Sequence, residues 1–269
     1  MTVNSSPQTP NLPAEAISAQ AGSKPQTKDY EYVKKSYRSK GQADTYDSKR
    51  FQTSWGKVLN RKFLSALLGV LNYIRQTGSP LDAIIDMPCG TGRAYPALLS
   101  KDYSFFGSDI SLEMMIESRK KLVRTNLNLG RLNRLLAQGG TLDASEEVPL
   151  IQTDMERTSF KDNSFDVIIC LRFFTMRVSP QARLAIFKEM RRISRGWVIL
   201  ECQHTNPVTE AVNQIATDVL KRKPVYRYFT KDKIQQELKQ AGIQIERIFN
   251  PYGILSNKWL VLGKVIKSV

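Results

Sequence analysis

Apolar positions first fall into a regular pattern between Val58 and Ile74, where Val58, Phe63, Leu64, Leu67, Leu68, Leu71 and Ile74 recur at helical spacing. Gly78-Ser79-Pro80 ends the helix they predict. Beyond it, short apolar runs alternate with longer amphipathic ones. Ala83 to Met87 reads as a buried strand, Arg93 to Leu99 as a helix and Tyr103 to Asp109 as a second strand. A helix follows over Ser111 to Thr125, with Ser111 placed to cap it. Pro149 to Thr153, Phe165 to Leu171 and Trp197 to Glu201 are further strands, and Pro180 to Ile193 is a helix. Alternation of this kind predicts an α/β protein with a doubly wound, mostly parallel sheet and helices on both faces. The C-terminal part differs. A helix over Thr230 to Ala241, closed by Gly242, is followed by strands over Ile243 to Phe249 and Trp259 to Ile266. The link between those two, Asn250 to Lys258, is too short for a crossover helix, so they run antiparallel. Seven strands result, the last of them antiparallel.

Three segments fall outside this alternation. Residues 1–28 are rich in Ser, Pro, Gln, Thr and Ala without an aromatic or a period, and read as a disordered tail. Residues 29–80 form an aromatic and basic N-terminal segment ahead of the main domain, 81–269. Residues 126–147, with Gly139-Gly140, make an inserted loop with a helical turn at Leu132 to Ala137.

Composition narrows the class. The 269 residues are 41% hydrophobic, enough for one large core. The longest apolar-rich stretch, Phe63 to Ile74, is broken by Ser65, Gly69 and Asn72, which excludes a transmembrane helix within it. Three cysteines make no disulfide scaffold and fit a reducing compartment. The N-terminus shows no basic region followed by an apolar one. A cytoplasmic protein is expected, at most peripheral to a membrane. The formal charge of +15 suggests nucleic acid, but its distribution changes that reading. Residues 81–204 hold seventeen bases against fifteen acids, whereas 29–80 hold ten against four and 205–269 eleven against five. The excess lies on the two flanks of a nearly neutral middle.

The most informative stretch is Asp86-Met87-Pro88-Cys89-Gly90-Thr91-Gly92-Arg93, at the end of the first strand. Glycines there let the backbone approach a ligand at the carboxyl edge of the sheet. A dinucleotide fingerprint needs a third glycine where this chain has Tyr95, and no Gly-Lys-Ser/Thr follows for a phosphate loop. Asp109 ends the second strand, 23 residues beyond Asp86, at the distance where a carboxylate grips a ribose diol. Asp154 follows the third strand. Taken singly, each acid reads as a cap or a surface group; together with the glycine loop, Asp86 and Asp109 read as ligands of a nucleoside without a phosphate. Asp166 reads as structural, holding the start of its strand.

Asp86-x-x-Cys89-Gly90-Thr91-Gly92, Gly107-x-Asp109-Ile110-Ser111 with Met114, Asp154, and Phe160-x-Asp162-Asn163-Ser164-Phe165-Asp166-Val167-Ile168 resemble class I S-adenosylmethionine-dependent methyltransferases of the small-molecule, UbiE-like group. The resemblance covers residues 81–204 and implies a Rossmann-like seven-stranded fold with S-adenosylmethionine as cofactor. It departs from the family at Pro88, where glycine is usual. By resemblance, Pro88, Cys89, Gly90 and Gly92 pass under the methionine portion, and Asp86 holds its amino group through the loop. Asp109 takes the ribose hydroxyls beside Ile110, Met155 lies against adenine and Asp154 near its amine. Cys170 to Arg172 face both cofactor and substrate. The 29–80 segment, with Tyr46 and Arg50, is implied to fold over the cofactor as a lid.

Methyl transfer from a sulfonium is an in-line displacement that needs alignment of donor and acceptor more than an acid–base constellation. The sole histidine, His204, follows the fifth strand and is the candidate general base, with Tyr46 a second candidate. Arg50, Arg172 and Tyr226 are candidate substrate contacts. One histidine and unpaired cysteines give no metal cluster. The expected acceptor is a small or lipid-like molecule, acidic or carried by an acidic protein, or held at an anionic membrane surface near the basic run Lys221 to Tyr228. The alternative acceptor is RNA, with Tyr226, Tyr228 and Phe229 interleaved among bases.

Overall fold

Ile84–Asp86 (β1) and Phe165–Cys170 (β4) lie side by side at the centre of the sheet in the computed structural model, and every residue of both is buried. The structure describes residues 34, 53–101, 103–128, 148–174, 178–204, 230–253 and 256–267. Outward from β1 on one side run Phe105–Asp109 (β2) and Leu150–Gln152 (β3). From β4 on the other side run Ser194–Gln203 (β5), Lys258–Val265 (β7) and Ile243–Phe249 (β6). The order is therefore β3-β2-β1-β4-β5-β7-β6. All neighbours are parallel up to β5, whereas β5–β7 and β6–β7 are antiparallel. The seven strands and the reversed last one match the sequence expectation. That β7 inserts between β5 and β6 did not follow from the pattern.

The helices are Ser54–Gln76 (α1), Tyr95–Leu99 (α2), Leu112–Asn128 (α3), Pro180–Ile193 (α4) and Lys231–Gln240 (α5). Local chemistry fixes their ends. Thr53, Ser179 and Thr230 each accept a backbone N–H with the side-chain oxygen at 3.0–3.2 Å, and the Ser111 hydroxyl accepts from Met114 N at 3.3 Å. Gly78 and Gly242 take positive φ after α1 and α5. α3 continues to Asn128, into the stretch read as loop; the turn expected at 132–137 lies outside the described residues. β5 starts three residues earlier than its apolar run, because the polar Ser194 already pairs with Phe165 ahead of an irregularity between Phe165 and Val167.

Alternation along the central strands makes two cores. Ile84, Val167 and Ile199 face α1, α2 and α3, through Phe63, Leu67, Leu98, Met115 and Leu122. Ile85, Ile168 and Val198 face α4 and α5, through Ile186, Phe187, Met190, Ile234 and Leu238. The α1 helix is thus part of the main core, its buried Phe63, Leu67, Val70, Leu71 and Ile74 lying on one stripe. Asp166 holds the start of β4 as expected: Oδ2 accepts from the N–H groups of Asp82 and Ala83 at 3.0 and 2.9 Å, and Oδ1 meets Arg195 Nε at 2.9 Å.

Candidate cofactor and acceptor site

Because strand order reverses between β1 and β4, their carboxyl ends open a crevice where a ligand can sit against backbone. The 87–94 loop spans that crevice. Met87 N donates to Ile169 O and Cys89 N to Ser108 O, both at 2.8 Å, so the loop is tied to β4 and β2. The Met87–Pro88 bond is cis, and Gly90 and Gly92 have φ of 52° and 72°, a region that disfavours side chains. A Cβ on Gly90 would meet nothing within 4 Å, so the loop presents bare backbone to open space. Gly92 has a different reason: its Cβ would strike the Tyr95 ring at 2.5 Å.

Tyr95, the residue standing where a dinucleotide fold has glycine, is fully buried and leans on Phe105 at 5.0 Å between centroids. It also explains Gly107, whose Cβ would collide with the Tyr95 hydroxyl and lie 2.7 Å from Leu150 Cδ2. Gly107→Ala is therefore expected to lower stability by about 1–3 kcal/mol through overpacking. Gly69→Ala, in α1 with open space around it, should instead raise stability by up to about 1 kcal/mol. Thermal denaturation of the two variants checks the pair.

Two carboxylates flank the loop. Asp109 is buried at the end of β2; Oδ2 accepts from Gly90 N at 2.8 Å and Oδ1 from Ser111 N at 2.9 Å. Burial pushes its carboxyl up, while the backbone donors of Ser111, Gly90 and Ile110 pull it back. Asp86 is also buried, and its Oδ1 has no hydrogen-bond partner. Burial, then the neighbouring charge of Asp109, push Asp86 well above the usual carboxylate range, with Arg93 and Lys121 opposing. A buried, orphaned carboxylate oxygen beside a bare glycine loop fits the amino group of a methionine moiety. Cys89 is buried between these acids, and burial raises its thiol well above its ordinary value, so it stays protonated.

At the next loop, Asp154 is engaged by the chain itself: Oδ2 meets Lys34 Nζ at 2.5 Å and Oδ1 accepts from Glu156 N at 3.0 Å. Lys34 also reaches Glu156 Oε2 at 3.2 Å and is itself buried. Met155 packs in the α4-side core with Cys170, and Ile110 O accepts from Gln152 Nε2 at 3.0 Å. Sequence reasoning missed Lys34; nothing near it signals a partner 120 residues on.

At the far end of the loop, Arg93 ties α1, β5 and the turn between β6 and β7 together. Its Nε donates to Asn60 Oδ1 of α1 and its Nη1 to Glu201 Oε2 of β5, both at 2.8 Å; its Nη2 lies 3.5 Å from the Tyr252 hydroxyl. Its guanidinium also lies 3.9 Å from the Phe63 ring centroid. Glu201 is fully buried and faces Lys258 Nζ at 3.6 Å. Burial lowers the Lys258 ammonium below its usual range, Glu201 opposing and Arg172 and Arg93 reinforcing. Arg172 follows β4 with a φ of 61°, a left-handed conformation that a bulky side chain seldom adopts. This hub too escaped the sequence reading, although a lone acid closing the apolar run Val198-Ile199-Leu200-Glu201 was a readable signal. His204 lies beside it, stacked on Trp259 at 3.9 Å with Nε2 2.7 Å from Ser256 O. A carbonyl only accepts, so Nε2 carries the proton there. Tyr46, Arg50 and Tyr226 lie outside the described residues. Among the described residues, no group of three or more His, Cys, Asp or Glu is placed to hold a metal, and no helix is long and apolar enough to cross a membrane.

The sheet order, the bare loop at the β1–β4 switch and the acid ending β2 define a class I methyltransferase fold. Residues 85–200 match the family model described as methyltransferase domain. No curated protein matches the chain. Among solved structures, magnesium protoporphyrin IX methyltransferase from Synechocystis PCC 6803 with bound SAH is 16% identical. The alignment covers 88% of this chain and 100% of that one, with a TM-score of 0.65. An S-adenosylmethionine-dependent methyltransferase from Clostridium acetobutylicum ATCC 824 is 15% identical over 84% of this chain and 98% of that one, TM-score 0.55. Another from Methanosarcina mazei is 20% identical over 72% and 98%, TM-score 0.51. Over residues 85–200 the chain matches a methyltransferase domain, and its fold is the one these S-adenosylmethionine-dependent methyltransferases share.

Proposed function

We propose that this protein transfers a methyl group to a small or lipid-like acceptor held at the carboxyl ends of β4 and β5. The observation that supports the reading is the hydrogen-bond hub of Arg93 at this edge. Arg93, bonded at once to Asn60, Glu201 and the Tyr252 hydroxyl, ties α1 and the turn before β7 to β5 at this edge. Leu171, Gln203 and His204 are buried there. A braced edge with buried side chains suits a compact acceptor held away from water, as an in-line displacement requires.

S-adenosylmethionine supplies the activated methyl when bound. On the cofactor side, Gly90 and Gly92 offer backbone, Asp86 Oδ1 takes the amino group, and Asp109 takes the ribose hydroxyls on the lone pairs that Gly90 and Ser111 leave over. Pro88 and Cys89 shape the loop, Ile110 and Met155 border adenine, and Asp154, braced by Lys34, stands near its amine. Cys170 backs the crevice, and Arg172 and Lys258 give its acceptor side a cationic wall. His204 holds a proton on Nε2 and accepts one only through Nδ1. Tyr46 stays a candidate general base, and Arg50 and Tyr226 stay candidate substrate contacts.

Incubation with methyl-labelled S-adenosylmethionine and a cell extract, followed by fractionation, tests the acceptor class. Label is expected in the lipid or small-molecule fraction; label only in RNA, abolished by ribonuclease, would overturn the reading. Asp109→Ala should weaken S-adenosylhomocysteine binding by roughly 10- to 100-fold, as loss of charge-assisted bonds to two hydroxyls implies. Equal affinity by calorimetry would remove Asp109 from the ribose site.

A further inference from the structure

One side of the sheet carries a layer of three helices, α1, α2 and α3, whose inner residues share a core. Its outer side holds features that packing does not use. Between α1 and α2 lies an open groove of about 420 Å³, with Leu64, Leu68, Pro96 and Ala97 as apolar walls and Lys57 and Arg61 at the rim. On the turn that opens α1, Trp55 is 70% and Val58 45% exposed. On α3, Leu112, Ile116 and Val123 are 53%, 48% and 52% exposed. Their spacing, i, i+4 and i+11, sets them on one stripe that lies beside the face of the buried Met115, Ser118 and Leu122.

The charge on this layer has one sign where it surrounds the groove. α1 contains Lys57, Arg61, Lys62 and Arg75 and no acid over its 23 residues. On α3, Arg119 and Lys120 flank the apolar stripe, with Glu113 and Arg124 next beyond Lys120, and Lys120 is also held to Glu117 at 2.5 Å. We infer that the outer side of the α1–α2–α3 layer docks on an anionic lipid bilayer, with Trp55, Val58 and the α3 stripe entering the headgroup region and the α1 bases contacting lipid phosphates. An exposed apolar stripe edged by lysine and arginine is the composition that holds a helix in the plane of an interface, and tryptophan favours that depth. A nucleic-acid surface would use the bases but gains nothing from exposed Leu112, Ile116 and Val123. Docking does not depend on what the acceptor is. It does set the cofactor loop close to lipid, because Asn60 of α1 is the partner of Arg93 and α2, which carries Pro96, begins at Tyr95 just past Gly92.

Sedimentation of the full chain with phosphatidylcholine vesicles, alone or with added phosphatidylglycerol, tests this. Binding is expected only with phosphatidylglycerol, weakening as salt is raised. It should be accompanied by a blue shift of tryptophan emission that Trp55→Phe removes, since Trp197 is buried and Trp259 is stacked on His204. Lys57→Glu with Arg61→Glu should weaken binding roughly tenfold or more. Ile116→Asp with Val123→Asp should do the same, and as all four residues are exposed or at the rim, melting temperatures should stay level. No binding, equal binding to neutral vesicles, or full binding by either double variant overturns the inference. So does transfer RNA binding that depends on Lys57 and Arg61 while vesicles do not bind.

Discussion

Glu201→Ala is expected to lower unfolding stability by about 3–5 kcal/mol, the range for removing one partner of a buried ion pair. Glu201 is fully buried, and its loss leaves the Arg93 guanidinium in a low-dielectric site without its carboxylate at 2.8 Å. Lys258 loses its opposite charge at the same time. The damage should spread, because Arg93 then no longer holds α1 and Tyr252 to the sheet. Removing both charges is a different matter. Glu201→Leu combined with Arg93→Met should recover most of the loss, since apolar replacement of a whole buried pair is often neutral or favourable. Urea denaturation of the three proteins at neutral pH measures this. A loss below about 1 kcal/mol for Glu201→Ala would mean that water reaches Arg93.

Asp86→Asn should move stability and ligand binding in opposite directions. Burial, followed by the nearby Asp109, raises the Asp86 carboxyl well above its unfolded value. A carboxyl raised on folding contributes stability that is complete below the unfolded pKa and is lost as pH rises through the folded one. At neutral pH Asp86 therefore costs stability, and the neutral amide should melt higher. The same charge is what an ammonium group would seek. S-adenosylhomocysteine affinity should fall roughly 10- to 100-fold in Asp86→Asn, the worth of a charge-assisted hydrogen bond. In the unaltered protein, affinity should increase as pH rises through the window in which Asp86 and Asp109 ionise, and in Asp86→Asn that rise should shrink. Calorimetry across pH with thermal melts of the ligand-free proteins reads both effects. A variant that binds as tightly as the parent would remove the amino group from Asp86.

The basic flanks acquire a place in this picture. Little of the +15 charge lies at the cofactor loop, where Arg93 and the nearby Lys121 face the buried acids Asp86 and Asp109. Part of it lines the rim of the α1–α2 groove as Lys57 and Arg61. Arg172, after β4, and Lys258, at the start of β7, hold another part. Positive charge here concerns what approaches the enzyme more than what the enzyme does to it.

By itself, the sequence determined the elements and the chemistry at their ends. Strand runs such as Phe165–Cys170, caps such as Ser179 and Thr230, and the turn at Gly242 rest on interactions within a few residues, so periodicity and turn chemistry express them directly. The glycine loop after β1 and Asp109 at the end of β2 were legible for the same reason, since each follows a strand that announces itself. Only the tertiary structure decided which distant residues meet. Arg93 and Glu201 are separated by 108 residues, and Lys34 from Glu156 by 122. Their pairing depends on strand order and on α1 crossing one face of the sheet, neither of which leaves a local period in the chain. The position of β7 between β5 and β6 is of this kind too, because antiparallel pairing was fixed by a short link but the neighbour of β5 was chosen by burial of Leu260 and Leu262 against the α1-side core. Short-range sterics and hydrogen bonds wrote the elements into the sequence; desolvation of charges and the filling of a shared core, which act between elements, made the site.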